Sequence, residues 1–485
     1  MWAEDYPEPG VSHTPELVFL IFSATLGVLL MWWLAHWGYI INSLLVTALV
    51  AAPCLVFYHV REEFGERSRP LLSFGLMSLP VVAALAWFVV GIFNPAVETV
   101  VVNGQTFLSL RETIGPGPTT TLPELSWLPF LAGLALYLLA LVGLYVVDNE
   151  WTLGRLLTVL SASAVLAAMV GWVQEGLRLA GEPLEEVWLV RFFVHPHFPA
   201  LATLWFGVAT VLTAFRIERL GWWSFLGDAG LLRLTMWATL GSAAIYCGGP
   251  LERWSATALA VGLFASLTIG RLCTPPRELR AVGWYALLAV LVAAGGLALM
   301  QVAPEAAGGA TASAKEELRW QLWERLVAER PFWGWGGGSF TDLVLFFQPV
   351  EFPVGGLGTP PSSLLRLVLE QGMPGVALWT LAVLVPLVGF VRLRVFANHS
   401  FGLLCVCALG VAFVIYTGAM RYTAFAFSLW LIFFVAVRWS QILDLRAKRR
   451  SARHHSTMVF KAGSPNVAAI GTGERAKAPR GAGAG

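Results

Sequence analysis

Charge is the scarcest ingredient of this sequence. Only 13% of its 485 residues are Asp, Glu, Lys or Arg, about half the share of an ordinary soluble domain, which excludes a chain folded mainly against water. The net charge of +2 is too small, and the Lys and Arg residues too dispersed over loops, for a nucleic-acid partner. Cysteine is scarce as well. Cys54, Cys247, Cys405 and Cys407 lie in apolar runs and Cys273 in a basic loop, with no CxxC pair, so no disulfide framework is expected. The N-terminal MWAEDYPEPG lacks a basic stretch, and the first apolar run reads as a retained span, not a cleaved signal. No tandem repeat marks a solenoid, and no duplicated half marks a transporter.

What is present is apolar: 57% of the residues, with a mean hydropathy of +0.69. Runs of about 18 residues or more recur along the chain, each long enough to cross roughly 30 Å of hydrocarbon as a helix. Lipid cannot satisfy the backbone of an open sheet, so helices are the form these runs take. The expected fold is all-α, a polytopic transmembrane helix bundle of about 12 spans. They fall near residues 16–36, 38–58, 71–93, 127–147, 156–175, 200–215, 234–249, 255–270, 281–300, 374–391, 401–418 and 424–438. Loop arginines set the orientation. Arg61, Arg67, Arg69, Arg155, Arg216, Arg219, Arg233, Arg271, Arg277, Arg280, Arg392 and Arg394 share one side, which the positive-inside rule makes cytoplasmic together with both termini. Residues 1–450 then form the membrane domain, with exported segments at 94–126, 177–199 and, largest, about 301–373. Residues 451–485 are expected to be a disordered basic cytoplasmic tail that touches anionic lipid headgroups.

Three exported stretches carry the candidate chemistry. In VRFFVHPHFPALATL, Arg191, His195 and His197 stand at the membrane boundary, where an interfacial anchor is the plain alternative. No carboxylate-rich set surrounds the histidines, and no metal or other cofactor is expected. In KEELRWQLWERLVAERPFWGWGGGSF, a helix is expected from Lys315 to about Glu329, stopped by Pro331. Arg319, Trp323, Leu326 and Arg330 share one of its faces, and the turn beyond it contains Gly336, Gly337 and Gly338, which allow a ligand or a helix end to approach the backbone closely. That turn lacks the lysine and the strand of a P-loop. In TPPSSLLRLVLEQGMPGVALW, Ser362 or Ser363 caps a helix that runs to Gln371 and stops at Gly372 and Pro374, with Arg366 and Glu370 as i, i+4 partners.

In this order the three stretches resemble the O-antigen ligase superfamily of bacterial inner-membrane proteins, which includes O-antigen polymerases and some protein O-oligosaccharyltransferases. The resembling core covers about residues 185–380. VRFFVHPHFPA is similar to the family's arginine followed by a Phe/His-Pro-Asn segment, with His197 at the asparagine position. Arg319 and Trp323, the PFWGWGGGSF turn, and Glu370 with Gly372 and Gly375 match its later motifs. One position departs: the histidine usual nine residues before the glutamate is Pro361 here, followed by Ser362. A proline accepts no proton, so His195 or His197 becomes the candidate base.

The resemblance implies metal-independent glycan transfer from a polyprenyl-pyrophosphate-linked donor to a glycan, lipid or protein acceptor on the exported face. Arg191 and Arg319, with Arg330 third, are the groups expected to bind the pyrophosphate. Two other readings stand beside it: a non-catalytic relative that binds lipid-linked glycans, and a transporter or flippase. Ionisable residues are nearly absent from the span centres, which weighs against an ion-coupled pump.

Overall fold

The structure is a computed structural model that describes residues 14–32, 68–112, 114–120, 150–181, 191–220, 222–225, 230–272, 310–336, 362–392, 399–417 and 424–443, with single residues between them. The expected spans at 38–58 and 281–300, nearly all of that at 127–147, and the 451–485 tail lie outside the described residues. Of the described residues, 81% are helical. Among the described residues three helices are long and apolar enough to cross a membrane: Glu150–Leu179, Phe198–Ile217 and Ala424–Leu443. The chain is accordingly a helical membrane protein.

Residues 1–440 form one compact unit; of the second, 441–485, only the end of the last helix is described. Helix α1 (Thr14–Met31) lies beside α3 (Glu150–Leu179). The Thr152 hydroxyl donates to Glu16 Oε2 at 3.1 Å and, further along both helices, Trp32 Nε1 donates to Ser163 Oγ at 3.1 Å, so the two run parallel. Asn149 starts α3 by accepting the Trp151 N–H on its side chain. At 30 residues, α3 is about 45 Å long, more than the hydrocarbon layer needs.

Helix α4 (Phe198–Leu220) is the hub. It packs antiparallel on α5 (Leu231–Cys247) through Phe206 on Gly241, and on α9 (His399–Tyr416) through Gly207 on Val406. Helix α6 (Pro250–Leu272) covers another side of it, and α10 (Ala424–Leu443) reaches it through Trp205. A Cβ at Gly241 would lie 2.7 Å from the Phe206 ring, and one at Gly410 would lie 2.5 Å from Leu429. Lipid gives helices little hydrophobic reason to associate, so small residues that permit close packing supply it. Buried indoles meet hydroxyls: Trp205 Nε1 donates to Ser428 Oγ at 3.1 Å and Trp237 Nε1 to Thr210 Oγ1 at 2.8 Å. Each removes a polar atom that would cost about 1–3 kcal/mol if left unpaired.

A second group joins α2 (Ser68–Ile92), α7 (Ala310–Glu329) and α8 (Ser363–Arg392). Helix α8 is broken at Gly372 (φ 65°), so the stop expected there is real, but the chain resumes as helix at once. Helix α7 starts at Ala310, five residues before the expected Lys315, and ends ahead of Pro331 as its ring requires. The 94–126 segment corrects the all-α expectation in one place. It holds an antiparallel pair, β1 (Val97–Val102) and β2 (Gln105–Leu110), in register from Val97↔Leu110 to Val102↔Gln105. Asn103 (φ 53°) and Gly104 (φ 80°) close it, the left-handed pair that a two-residue hairpin requires.

Candidate functional site

Two of the segments expected on the exported side, 94–126 and 301–373, meet in the fold. The PFWGWG turn after α7 is clamped onto the break in α8 by backbone bonds on both sides: Trp335 N–H to Leu369 O at 2.8 Å, Gly336 N–H to Glu370 O at 2.6 Å, and Met373 N–H to Phe332 O at 3.1 Å. Three indoles bolt the joint. Trp87 Nε1 of α2 donates to Gln371 O while its ring stacks on Trp333 at 5.7 Å; Trp323 Nε1 donates to Leu365 O, and Trp335 Nε1 to Leu326 O. Beneath them Ala96, Leu322, Leu326, Trp335, Leu343 and Leu369 form a buried cluster. Each fully buried leucine contributes about 2 kcal/mol.

The face of α7 that carries Trp323, Leu326 and Arg330 therefore turns inward. Leu326 is fully buried, Trp323 packs at the edge of the cluster, and Arg330 reaches the 115–117 loop, where Nη2 donates to Gly115 O at 3.2 Å and Gly117 O at 3.0 Å. The Arg330 guanidinium lies 5.6 Å over the Trp335 ring, and its Nη1 is buried with no hydrogen-bond partner. Burial pulls its pKa below the usual arginine value. Arg319 lies in α7 one turn before Trp323, but its side chain is outside the described residues, as are Gly337 and Pro361.

Gly336 does not cradle a ligand in this arrangement. At φ 91° its backbone passes so close to the Thr119 carbonyl that any Cβ would overlap it, and its N–H already belongs to Glu370 O. Close approach is indeed what the glycine provides, between two pieces of the protein itself. On the facing helix Ser362, of the two serines, is the cap: its Oγ accepts the Leu365 N–H at 3.1 Å. Ser363 instead donates from its N–H and its hydroxyl to Thr417 O. Arg366 Nε donates to Glu370 Oε1 at 2.8 Å, so the buried Glu370 carboxylate has its own cation.

Arg191, His195 and His197 stand on another foundation. The 3-10 turn Phe192–Val194 rests on α3, α4 and α5: Phe192 is buried beside Trp32 and Phe198, and Phe193 lies against Trp172 and Tyr246. Arg191 is exposed and the histidines are half-buried. The His197 backbone N–H donates to His195 Nδ1 at 3.2 Å. A nitrogen that accepts carries no proton, which puts the proton of neutral His195 on Nε2. Burial lowers the His195 pKa, in the same direction. Neutral His195 thus has its Nδ1 engaged and its Nε2–H as a donor. His197 stands at the start of α4, its carbonyl taking the Leu201 N–H.

Two features escaped the sequence reading. Glu175 takes both Arg178 Nε (2.9 Å) and Nη2 (2.7 Å) and the Tyr246 hydroxyl (2.5 Å), which ties the end of α3 to the end of α5 beside Phe193. Residues 71 apart gave no signal for that pairing. The hairpin did have one, the Asn-Gly pair between β-branched and aromatic runs. Among the described residues no group of three or more His, Cys, Asp or Glu is placed to hold a metal. Compared with known proteins, the chain matches no protein-family model and no curated protein.

Proposed function

We propose that this chain transfers a glycan from a polyprenyl-pyrophosphate donor to an acceptor hydroxyl on the exported face of a bacterial inner membrane, in the manner of the O-antigen ligase superfamily. The observation that carries the reading is the joining of two motifs far apart in sequence: the Arg330–Gly336 turn and the Ser362–Gly375 helix meet backbone to backbone and leave the buried Nη1 of Arg330 without a partner. In the reaction the acceptor oxygen bonds to the anomeric carbon, the bond from that carbon to the pyrophosphate oxygen breaks, and the pyrophosphate leaves with the electron pair. Arginine forks answer that developing charge. Arg330 and Arg191 are the candidates with described side chains, and Arg319 joins them from α7. The acceptor's proton goes to His197, with His195 alongside. A lipid tail in a groove between helices suits a donor that stays in the bilayer.

The finer topology belongs to the same proposal: about 12 spans, both termini cytoplasmic and the 301–373 loop exported. Helix ends sort accordingly. Glu16 meets Thr152, and Arg438 Nε meets Val147 O, at ends assigned inside; Trp32 meets Phe192, Trp172 meets Tyr246 and Ser363 meets Thr417 at ends assigned outside.

Consumption of a polyprenyl-pyrophosphate glycan by the purified protein, supplied with glycan, lipid and protein acceptors, tests the activity. Turnover that falls about 10²-fold in Arg330→Ala and Arg191→Ala, with Arg325→Ala unchanged, is the expected result. Arg325 is exposed, with Glu329 at 3.9 Å, and an exposed ion pair contributes little. Binding without consumption would leave a lipid-linked glycan-binding protein, the reading that Pro361 favours. Equal activity of all three variants would make the arginines anchors.

A further inference from the structure

The 97–110 hairpin has no charged residue from Thr99 to Leu110; Glu98 and Arg111, 3.9 Å apart, close its base. Beyond them each face of the tip mixes apolar residues with uncharged polar ones, Val102 standing opposite Gln105 and Val101 opposite Thr106. Val100, Val102 and Phe107 share one, with Val100 directly opposite Phe107, and Val101 lies on the other. Val101 is 67% exposed, and Val102 and Phe107 each 49%. A strand built to cover a core turns its apolar residues inward, and here Val101, Val102 and Phe107 are turned out.

The surface it extends is already apolar. Leu79, Val82, Ala86 and Val90 form an exposed stripe along α2, opposite the buried Val81, Ala84 and Ile92, and Phe93, 75% exposed, continues it past the helix end. Spacings of three and four residues put these positions on one face. The hairpin starts five residues after Ile92, and its base is held through the intervening residues: Asn94 N–H donates to Gly91 O at 3.0 Å, Thr120 N–H to Asn94 O at 3.1 Å, Ala96 N–H to Thr120 O at 2.6 Å and Arg111 N–H to Ala96 O at 3.0 Å.

We infer that the tip of this hairpin lies in the outer leaflet of the membrane and contacts bulk phospholipid at the level of the headgroups and upper acyl chains. The inference rests on the membrane-spanning role of α2 and is independent of glycan transfer. Depth is limited by the backbone. The outer edges of a two-stranded ribbon have unpaired N–H and C=O groups, each costing several kcal/mol in hydrocarbon, whereas water and lipid carbonyls serve them at the interface. Asn103 and Gly104 at the very end suit that level.

The test places p-benzoylphenylalanine at Phe107, Val102, Val90 or Glu98 in the full chain, reconstituted in phosphatidylethanolamine–phosphatidylglycerol vesicles, and identifies the photoadducts by mass. Phospholipid adducts at Phe107 and Val102 at yields within about threefold of Val90, with none at Glu98, are expected. Adducts at Phe107 only with protein or with added polyprenyl lipid would overturn the inference, as would none there while Val90 reacts. Failure at Val90 as well would overturn it by removing the lipid-facing stripe. None of these results depends on turnover.

Discussion

At the scale of single residues, what the sequence marks as glycine-rich the structure divides by position. Gly336 and Gly104 both have positive φ, but only Gly336 is pressed against another backbone; nothing lies within 4 Å of a Cβ on Gly104. Gly104→Ala should therefore carry strain alone, about 1 kcal/mol. Gly336→Ala adds a collision with Thr119 and should open the joint between the 115–120 loop and the 331–336 turn. Limited proteolysis of the exported loops would show this as rapid cleavage near 336 in that variant and near-native resistance in Gly104→Ala. Equal resistance would mean that the turn is a mere connection. His195 offers a sharper substitution. Asparagine places an acceptor close to where Nδ1 stands, so His195→Asn should hold the turn and nearly all activity, whereas His195→Ala loses the bond, about 1 kcal/mol. Because its folded pKa is lowered, the unfolded chain takes up the proton first as pH falls, and the stability of this turn should decline below about pH 6.5 in the wild type and not in His195→Asn.

At the scale of elements, Trp87 links α2 to the joint of the 331–336 turn with α8 through a stack and a bond to Gln371 O. Trp87→Phe keeps an aromatic face and drops the donor, so a loss of about 1 kcal/mol is expected; Trp87→Ala loses both and should cost about 3 kcal/mol, read as lowered thermal stability in detergent. The elements themselves were largely legible. Apolar length gave α3, α4 and α10, Pro331 gave the end of α7, and Gly372 the break in α8, because each is a local cause acting on its own neighbours. The i, i+4 pair of Arg366 and Glu370 was legible for the same reason. What was not legible depends on distant partners. The face of α7 that reads as a cationic stripe is mostly a packing face, since Leu326 and Trp335 need the hairpin base and α8 to be buried. Tyr246 reaches the i, i+3 pair of Glu175 and Arg178 only because α3 and α5 end at the same level. The hairpin is a different case: Asn103-Gly104 was visible, and the surrounding apolar runs drew attention to spans instead.

At the scale of the whole molecule, orientation decides whether any of this chemistry faces a lipid-linked glycan. From the arginine asymmetry the 301–373 loop is expected outside, and the fold adds a constraint that the count of charges does not contain. Helices α1 and α3 run parallel, both from ends assigned inside, while α4 runs antiparallel to α5 and α9. Inverting one helix would separate Glu16 from Thr152 or Phe206 from Gly241, so the described bundle inverts as a whole or not at all. A reporter active only outside the cytoplasm should accordingly be active when fused after residue 345 and silent after 225 and 450. Inserted in the hairpin turn between Asn103 and Gly104, a short epitope should be reached from the exported side of intact cells. Both exported positions must agree, because the hairpin base and the 331–336 turn are one hydrogen-bonded assembly through Thr119, Thr120 and Ala96. Signal at 225 and 450 with silence at 345 would invert the bundle, move Arg191 and Arg330 to the cytoplasmic face, and remove them from an exported polyprenyl donor. Agreement at 345 with failure at the turn would instead break the joint that the structure builds between these two segments.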